Sequence, residues 1–149
     1  MTRTVHLALY STLADWEYGY AVAGINNPEF QKNPGSLAVA TVGATRDPIT
    51  TRGGLRITPD LTLDELRPHD SAMLILPGND IWNTDAYTPF TDKARDFLEA
   101  AVPVAAICGA TAPLPPPGSS TIAPIPVTRP NSSTKSATQA APCTATSRQ

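Results

Sequence analysis

At 149 residues the chain is long enough for one domain with a useful core, and nothing in it calls for two. Its averages conceal a boundary: all nine aromatic and all thirteen acidic residues precede Pro113, while the 37 residues from there onward hold half of the sixteen prolines. Residues 1–112, with eight Lys and Arg against thirteen Asp and Glu, carry a formal charge of −5, which argues against a nucleic-acid or anionic-membrane surface and for small-molecule or protein partners.

The start of the chain lacks a basic and then apolar leader, and no apolar run is of membrane-spanning length, so the sequence reads as cytoplasmic. "TVHLALY" (Thr4 to Tyr10) is short, apolar and rich in strand formers, as a strand buried on both faces would be. From Leu13, "LADWEYGYAVAGIN" sets Ala14, Tyr18, Ala21, Val22 and Ile25 at helical spacing. A second strand follows in "SLAVATVG" (Ser36 to Gly43), completing a βαβ unit. "DPITTRGGLRIT" predicts two short extended pieces joined at Gly53 and Gly54, a hairpin beside the main sheet. In "TLDEL", Thr62 and Glu65 have the spacing of a capping box, which predicts a short helix ended by Pro68. "SAMLILPGND" is a third core strand running into a Pro-Gly turn. "TPFTDKARDFLEAAV" places Phe90, Ala94, Phe97, Leu98 and Ala101 on one helical stripe, and after Pro103 "VAAIC" is a fourth core strand. The order βαβ, hairpin, α, β, α, β predicts a doubly wound, largely parallel sheet with helices on both faces. Such sheets bind ligands beyond the carboxyl ends of their strands, where "STLADWE", "PGND" and "CGAT" all open.

Cys108 stands at a strand end before Gly109 and Ala110, small neighbours that let a backbone turn sharply and present a side chain, as in a nucleophile elbow. A lone cysteine is also commonly a small buried hydrophobe, and spacing alone does not separate the two. Glu17, one loop beyond the first strand, could exchange a proton with the Cys108 sulfur, or be a solvated residue of a first helical turn. Gly78 and Asn79 could add backbone N–H groups to that of Gly109 around a developing oxyanion, unless "PGND" is only a turn. Trp16 and Trp82 flank two of the loops, where they either wall a pocket or pack. His6 and His69 have no ligand spacing to each other or to a cysteine, so no metal is expected. The chain has neither a P-loop nor a GxGxxG, so no nucleotide cofactor is expected.

The ordered set "LADWE", "LILPGND" and "VAAICGAT" resembles the ThiJ/PfpI family of the class I glutamine amidotransferase-like superfamily, over residues 4 to 112. The resemblance implies a flavodoxin-like sheet, Cys108 as the reactive elbow cysteine, Glu17 as its hydrogen-bonding carboxyl partner, and the "PGND" turn as part of an oxyanion hole. Asn79 stands where the family usually has a second glycine, and Gly109 where its peptidases place a histidine. After "ICGAT" the family pattern continues into a helix, then "GLLD" and "HTSN". Here "APLPPPGSSTIAPIPVTRP" follows instead. Moved by one base, the codons of Gly118 to Ile122 are compatible with Gly-Leu-Leu-Asp-Asp and those of Ile125 to Thr128 with His-Thr-Ser-Asn. The expectation is therefore a domain over 1–112, truncated after the elbow, and an out-of-frame, disordered tail over 113–149. The competing reading is a natural Pro/Ser/Thr-rich tail.

Two functions of different kinds fit these residues. One is cofactor-free attack by Cys108 on a small carbonyl or amide substrate, as in a hydrolase, amidase or deglycase. The other is a non-catalytic redox or stress sensor, or chaperone, in which Cys108 is oxidised. Glutamine amidotransfer ranks below both, for want of an ammonia-accepting domain and a downstream histidine. The expected partner is a small-molecule substrate, with a homodimer admitted and no nucleic acid or membrane.

Overall fold

The computed structural model describes residues 2–114. The expectations for the tail beyond Leu114, including its reading frame and disorder, lie outside the described residues. Five strands form one parallel sheet in the order β5-β2-β1-β6-β7, made of β1 (Arg3–Ala8), β2 (Leu37–Gly43), β5 (Leu61–Thr62), β6 (Ser71–Leu76) and β7 (Val104–Ala106). β3 (Ile49–Thr50) and β4 (Arg56–Ile57) pair antiparallel as the predicted hairpin. Two twelve-residue helices, α1 (Asp15–Asn26) and α2 (Thr88–Glu99), make the crossovers from β1 to β2 and from β6 to β7. Those crossovers run outward in opposite directions from the β1/β6 seam. Right-handed connections therefore set the helices on opposite faces and open a crevice at the carboxyl end of that seam.

The central position of β1 explains why its sequence is apolar without alternation: Val5, Leu7 and Ala8 are all buried between neighbours, Val5 beside Val39 and Leu7 beside Ile75. α2 closes one side with Phe90, Ala94, Phe97 and Leu98, all buried. It ends in a left-handed Ala101 (φ 58°), whose N–H donates to Leu98 while Val102 N–H reaches back to Phe97 at 2.8 Å. Ala101 thus belongs to the helix stop rather than to the stripe. α1 is held differently. None of its residues is fully buried, although Tyr18, Ala21, Val22 and Ile25 lean on the core as their spacing predicts.

One expected element is different in kind. Half of the capping box of "TLDEL" forms, with Thr62 N–H donating to Glu65 Oε2 at 2.8 Å while Glu65 N–H donates to the Thr62 carbonyl, and the two bonds close a single turn instead of starting a helix. Thr62 already belongs to β5, which pairs with β2, and Pro68 leaves too few residues for propagation. Leu114 packs partly against the core, two residues past the expected boundary.

Candidate active site

Three loops meet at the crevice: residues after β1, after β6 and after β7. β7 hands the chain to Ile107, still extended, and then to Cys108, which turns left-handed at φ 53° and begins a single 3-10 turn to Thr111. The Thr111 hydroxyl donates to the Cys108 carbonyl at 2.7 Å and ties that turn. The thiol is free and Cys108 is exposed.

Glu17 lies in the first turn of α1 and accepts the backbone N–H of Gly78 at Oε2. The Gly78 carbonyl in turn accepts the N–H of Ala14, the residue that leads into α1, at 2.9 Å. Gly78 is therefore tied to α1 through both of its flanking peptides. A Cβ added at Gly78 would lie 2.8 Å from Glu17 Oε2 and 3.0 Å from Cys108 Cβ, so the carboxyl and the cysteine both border this one glycine. The chain thus brings Glu17, Gly78 and Cys108 together from sequence positions far apart. The Gly78 amide, assigned from sequence to an oxyanion, is directed at the carboxyl.

Gly109 is also a close approach: a Cβ there would meet Trp82 Cδ1 at 2.8 Å, so the indole lies on the elbow's backbone. Trp82 borders a cavity of about 200 Å³ together with Thr88, Thr91 and Arg95. Trp16 is 64% exposed and lies beneath the Arg52 guanidinium, 5.9 Å from its ring centroid. A second cavity of about 270 Å³, lined by Tyr10, Ile49, Ile81 and Phe90 among others, opens over the ends of β1 and β2. Neither of these two cavities is lined by Cys108 or Glu17.

The hairpin is tied to the start of α1 and to the turn after β6 by contacts the sequence did not single out. Arg52 donates to Asp80 at 2.7 Å, and Gly53 N–H to Asp15 Oδ2 at 2.6 Å. The Thr51 hydroxyl and the Gly53 amide hold the Asp15 carboxyl below the usual carboxylate range. Thr12 Oγ1 accepts the Asp80 N–H at 2.9 Å, which fixes the turn after β6 to the loop after β1. Asn79 is buried, with its Oδ1 accepting the Ile81 N–H at 2.9 Å.

Neither described histidine joins this group. His6 is buried in β1 with Nδ1 2.8 Å from Ser71 Oγ, and burial lowers its pKa against the raising influence of Asp70. His69 is exposed in the turn that precedes β6, at the opposite edge of the sheet. Among the described residues no group of His, Cys, Asp and Glu could hold a metal ion, and no helix is long and apolar enough to cross a membrane.

Residues 3–119 match the profile of the DJ-1/PfpI family. A Bacillus subtilis protein named an uncharacterized protease, YoaZ, is 44% identical over 111 residues, 74% of this chain and 53% of that protein. Among solved structures, a thiJ/pfpI family protein from Bacillus anthracis is 41% identical with a TM-score of 0.68, over 76% of this chain and 54% of that one. A DJ-1 superfamily protein from Agrobacterium tumefaciens is 27% identical with a TM-score of 0.63, over 76% and 56%. The chain thus spans about half the length of the relatives it matches.

Proposed function

We propose that this chain, which belongs to the DJ-1/PfpI family, carries a reactive-cysteine site in which Cys108 acts on a small carbonyl or amide substrate with Glu17 as its proton partner. The observation that carries the reading is the meeting of Glu17 and Cys108 at Gly78, with the cysteine raised on a left-handed turn at the carboxyl edge of the sheet. The Cys108 sulfur attacks the carbonyl carbon while its proton passes to Glu17, and the carbonyl π pair moves onto oxygen. The amides of Asn79 and Gly109 are the donors for that oxygen. Glu17 returns the proton to the leaving amine as the carbon–nitrogen bond breaks, and water then cleaves the thioester. Trp82 and Trp16 bound the substrate on the Gly109 and hairpin sides. No metal or cofactor is needed for these steps. Residues 1–112 are the part that performs them, and the tail from about Pro113 is an out-of-frame product. DNA across the Cys108 to Arg129 codons that confirms the present frame overturns the tail reading.

A second reading is supported by the exposure of the Cys108 thiol: a redox sensor in which peroxide oxidises the sulfur. A panel of small aldehydes, amides and thioesters decides between them. Turnover abolished in Cys108→Ser supports the enzyme; stoichiometric oxidation of Cys108 with no turnover of any substrate overturns it in favour of the sensor.

A further inference from the structure

Tyr10, just past the end of β1, is buried, and its ring is fixed edge-on by Tyr87 and Phe90, with centroids 5.1 and 4.9 Å away. Its hydroxyl donates to the carbonyl of Pro77. That carbonyl belongs to the same peptide plane as the Gly78 N–H, which donates to Glu17. One planar group is therefore gripped at its oxygen by Tyr10 and at its nitrogen by Glu17. Because the peptide bond is rigid, fixing the carbonyl fixes the direction of the N–H. Because hydrogen bonds on the two ends of an amide polarise one another, the first strengthens the second.

We propose that Tyr10 is a positioning residue for Glu17, acting through the Pro77–Gly78 peptide. This rests on the assignment of Glu17 as the partner of Cys108. The surroundings of the hydroxyl fit the role. Asn79 Nδ2 and Tyr87 Oη border it, and neither makes a hydrogen bond to any other described residue. A carbonyl only accepts, so in the bond to Pro77 Tyr10 is the donor. Burial, reinforced by the neighbouring Tyr87, pushes the Tyr10 pKa well above the usual tyrosine range, which favours the protonated donor.

The test uses the full 149-residue chain. Tyr10→Phe keeps the ring and removes only the donor. The Gly78 amide proton should shift upfield, and iodoacetamide labelling of Cys108 at neutral pH should slow by about three- to tenfold, the equivalent of one neutral hydrogen bond. In a Glu17→Leu background the same substitution should change the labelling rate no further, because its route to the sulfur has gone. Equal slowing in both backgrounds, or a Gly78 resonance that does not move, overturns the proposal. If Glu17→Leu alone leaves labelling unchanged, the Glu17–Cys108 pairing fails, while the Gly78 resonance still reports whether Tyr10 governs that peptide. Should Tyr10→Phe not fold, 3-fluorotyrosine at position 10 keeps the packing and strengthens the donor. It should move the Gly78 proton downfield, and no movement overturns the proposal.

Discussion

The two helices have the same length and opposite means of attachment. α2 is fastened along its flank, with Phe90, Ala94, Phe97 and Leu98 buried in the core. α1 buries no residue completely and leaves Tyr20 93% exposed, yet its beginning is tied by Asp15 to Gly53, by Ala14 to Gly78 and by Glu17 to Gly78. A helix fixed by its flank is a stability element, and one fixed by its tip aims a side chain. The hydrogen bonds at the tip of α1 are individually weak in net free energy but directional, so they fix where the Glu17 carboxyl points.

That contrast is broken most severely in α2. Phe97→Ala should cost about 3–5 kcal/mol in chemical denaturation, since the ring is fully buried. Tyr20→Ala should stay within about 0.5 kcal/mol. Losses of similar size at the two positions would mean that α1 is packed in solution by something other than this core.

Next in size is the tip of α1. Gly78→Ala forces a methyl group against Glu17 and Cys108 and should cost about 1–3 kcal/mol, with a marked change in Cys108 labelling. Gly19→Ala, within the same helix and with nothing in 4 Å of the added carbon, should gain about 0.5–1 kcal/mol and leave labelling alone. An unchanged stability and labelling rate in Gly78→Ala would disprove the close approach.

The smallest effect falls on the seam between the two halves, where His6 of β1 meets Ser71 of β6. Burial disfavours the charged form of this imidazole in the folded chain, against the raising influence of Asp70, so its folded pKa is below the unfolded value of 6.5. The unfolded chain then binds the proton more readily. Stability is full above that value and falls as pH drops through it toward the folded pKa. Urea midpoints recorded across this range should fall on acidification, and His6→Gln should flatten the slope.

Much of this was legible because strand and helix periods are local. The apolar runs at Thr4–Tyr10, Ser36–Gly43 and Ser71–Leu76 could pack only as interior strands, and the α2 stripe announced its buried face. β5 was not legible: two residues carry no period, and their pairing with Val42 and Gly43 is a tertiary choice made after a capping box had already suggested a helix. At the site, Cys108 and Glu17 could be named from their loops, but the use of the Gly78 amide could not. Its acceptor lies 61 positions away in the sequence. Arg52, Asp80 and Tyr10 carried no local pattern either, since an exposed ion pair and a buried hydroxyl show themselves only once the hairpin and the turn after β6 are in place.

The left-handed backbone at Cys108 has a counterpart at Thr12 (φ 64°) and another at Ala101 (φ 58°). Each is a conformation in which any side chain costs the fold on the order of 1 kcal/mol relative to glycine. A designer optimising this protein for stability alone would write glycine at all three. At Ala101 nothing would be given up. At Thr12 the oxygen that holds the Asp80 amide would vanish, and at Cys108 the sulfur itself. Stability-guided redesign would therefore erase Cys108 early and report the result as an improvement, so any such programme on this chain has to hold positions 12 and 108 fixed.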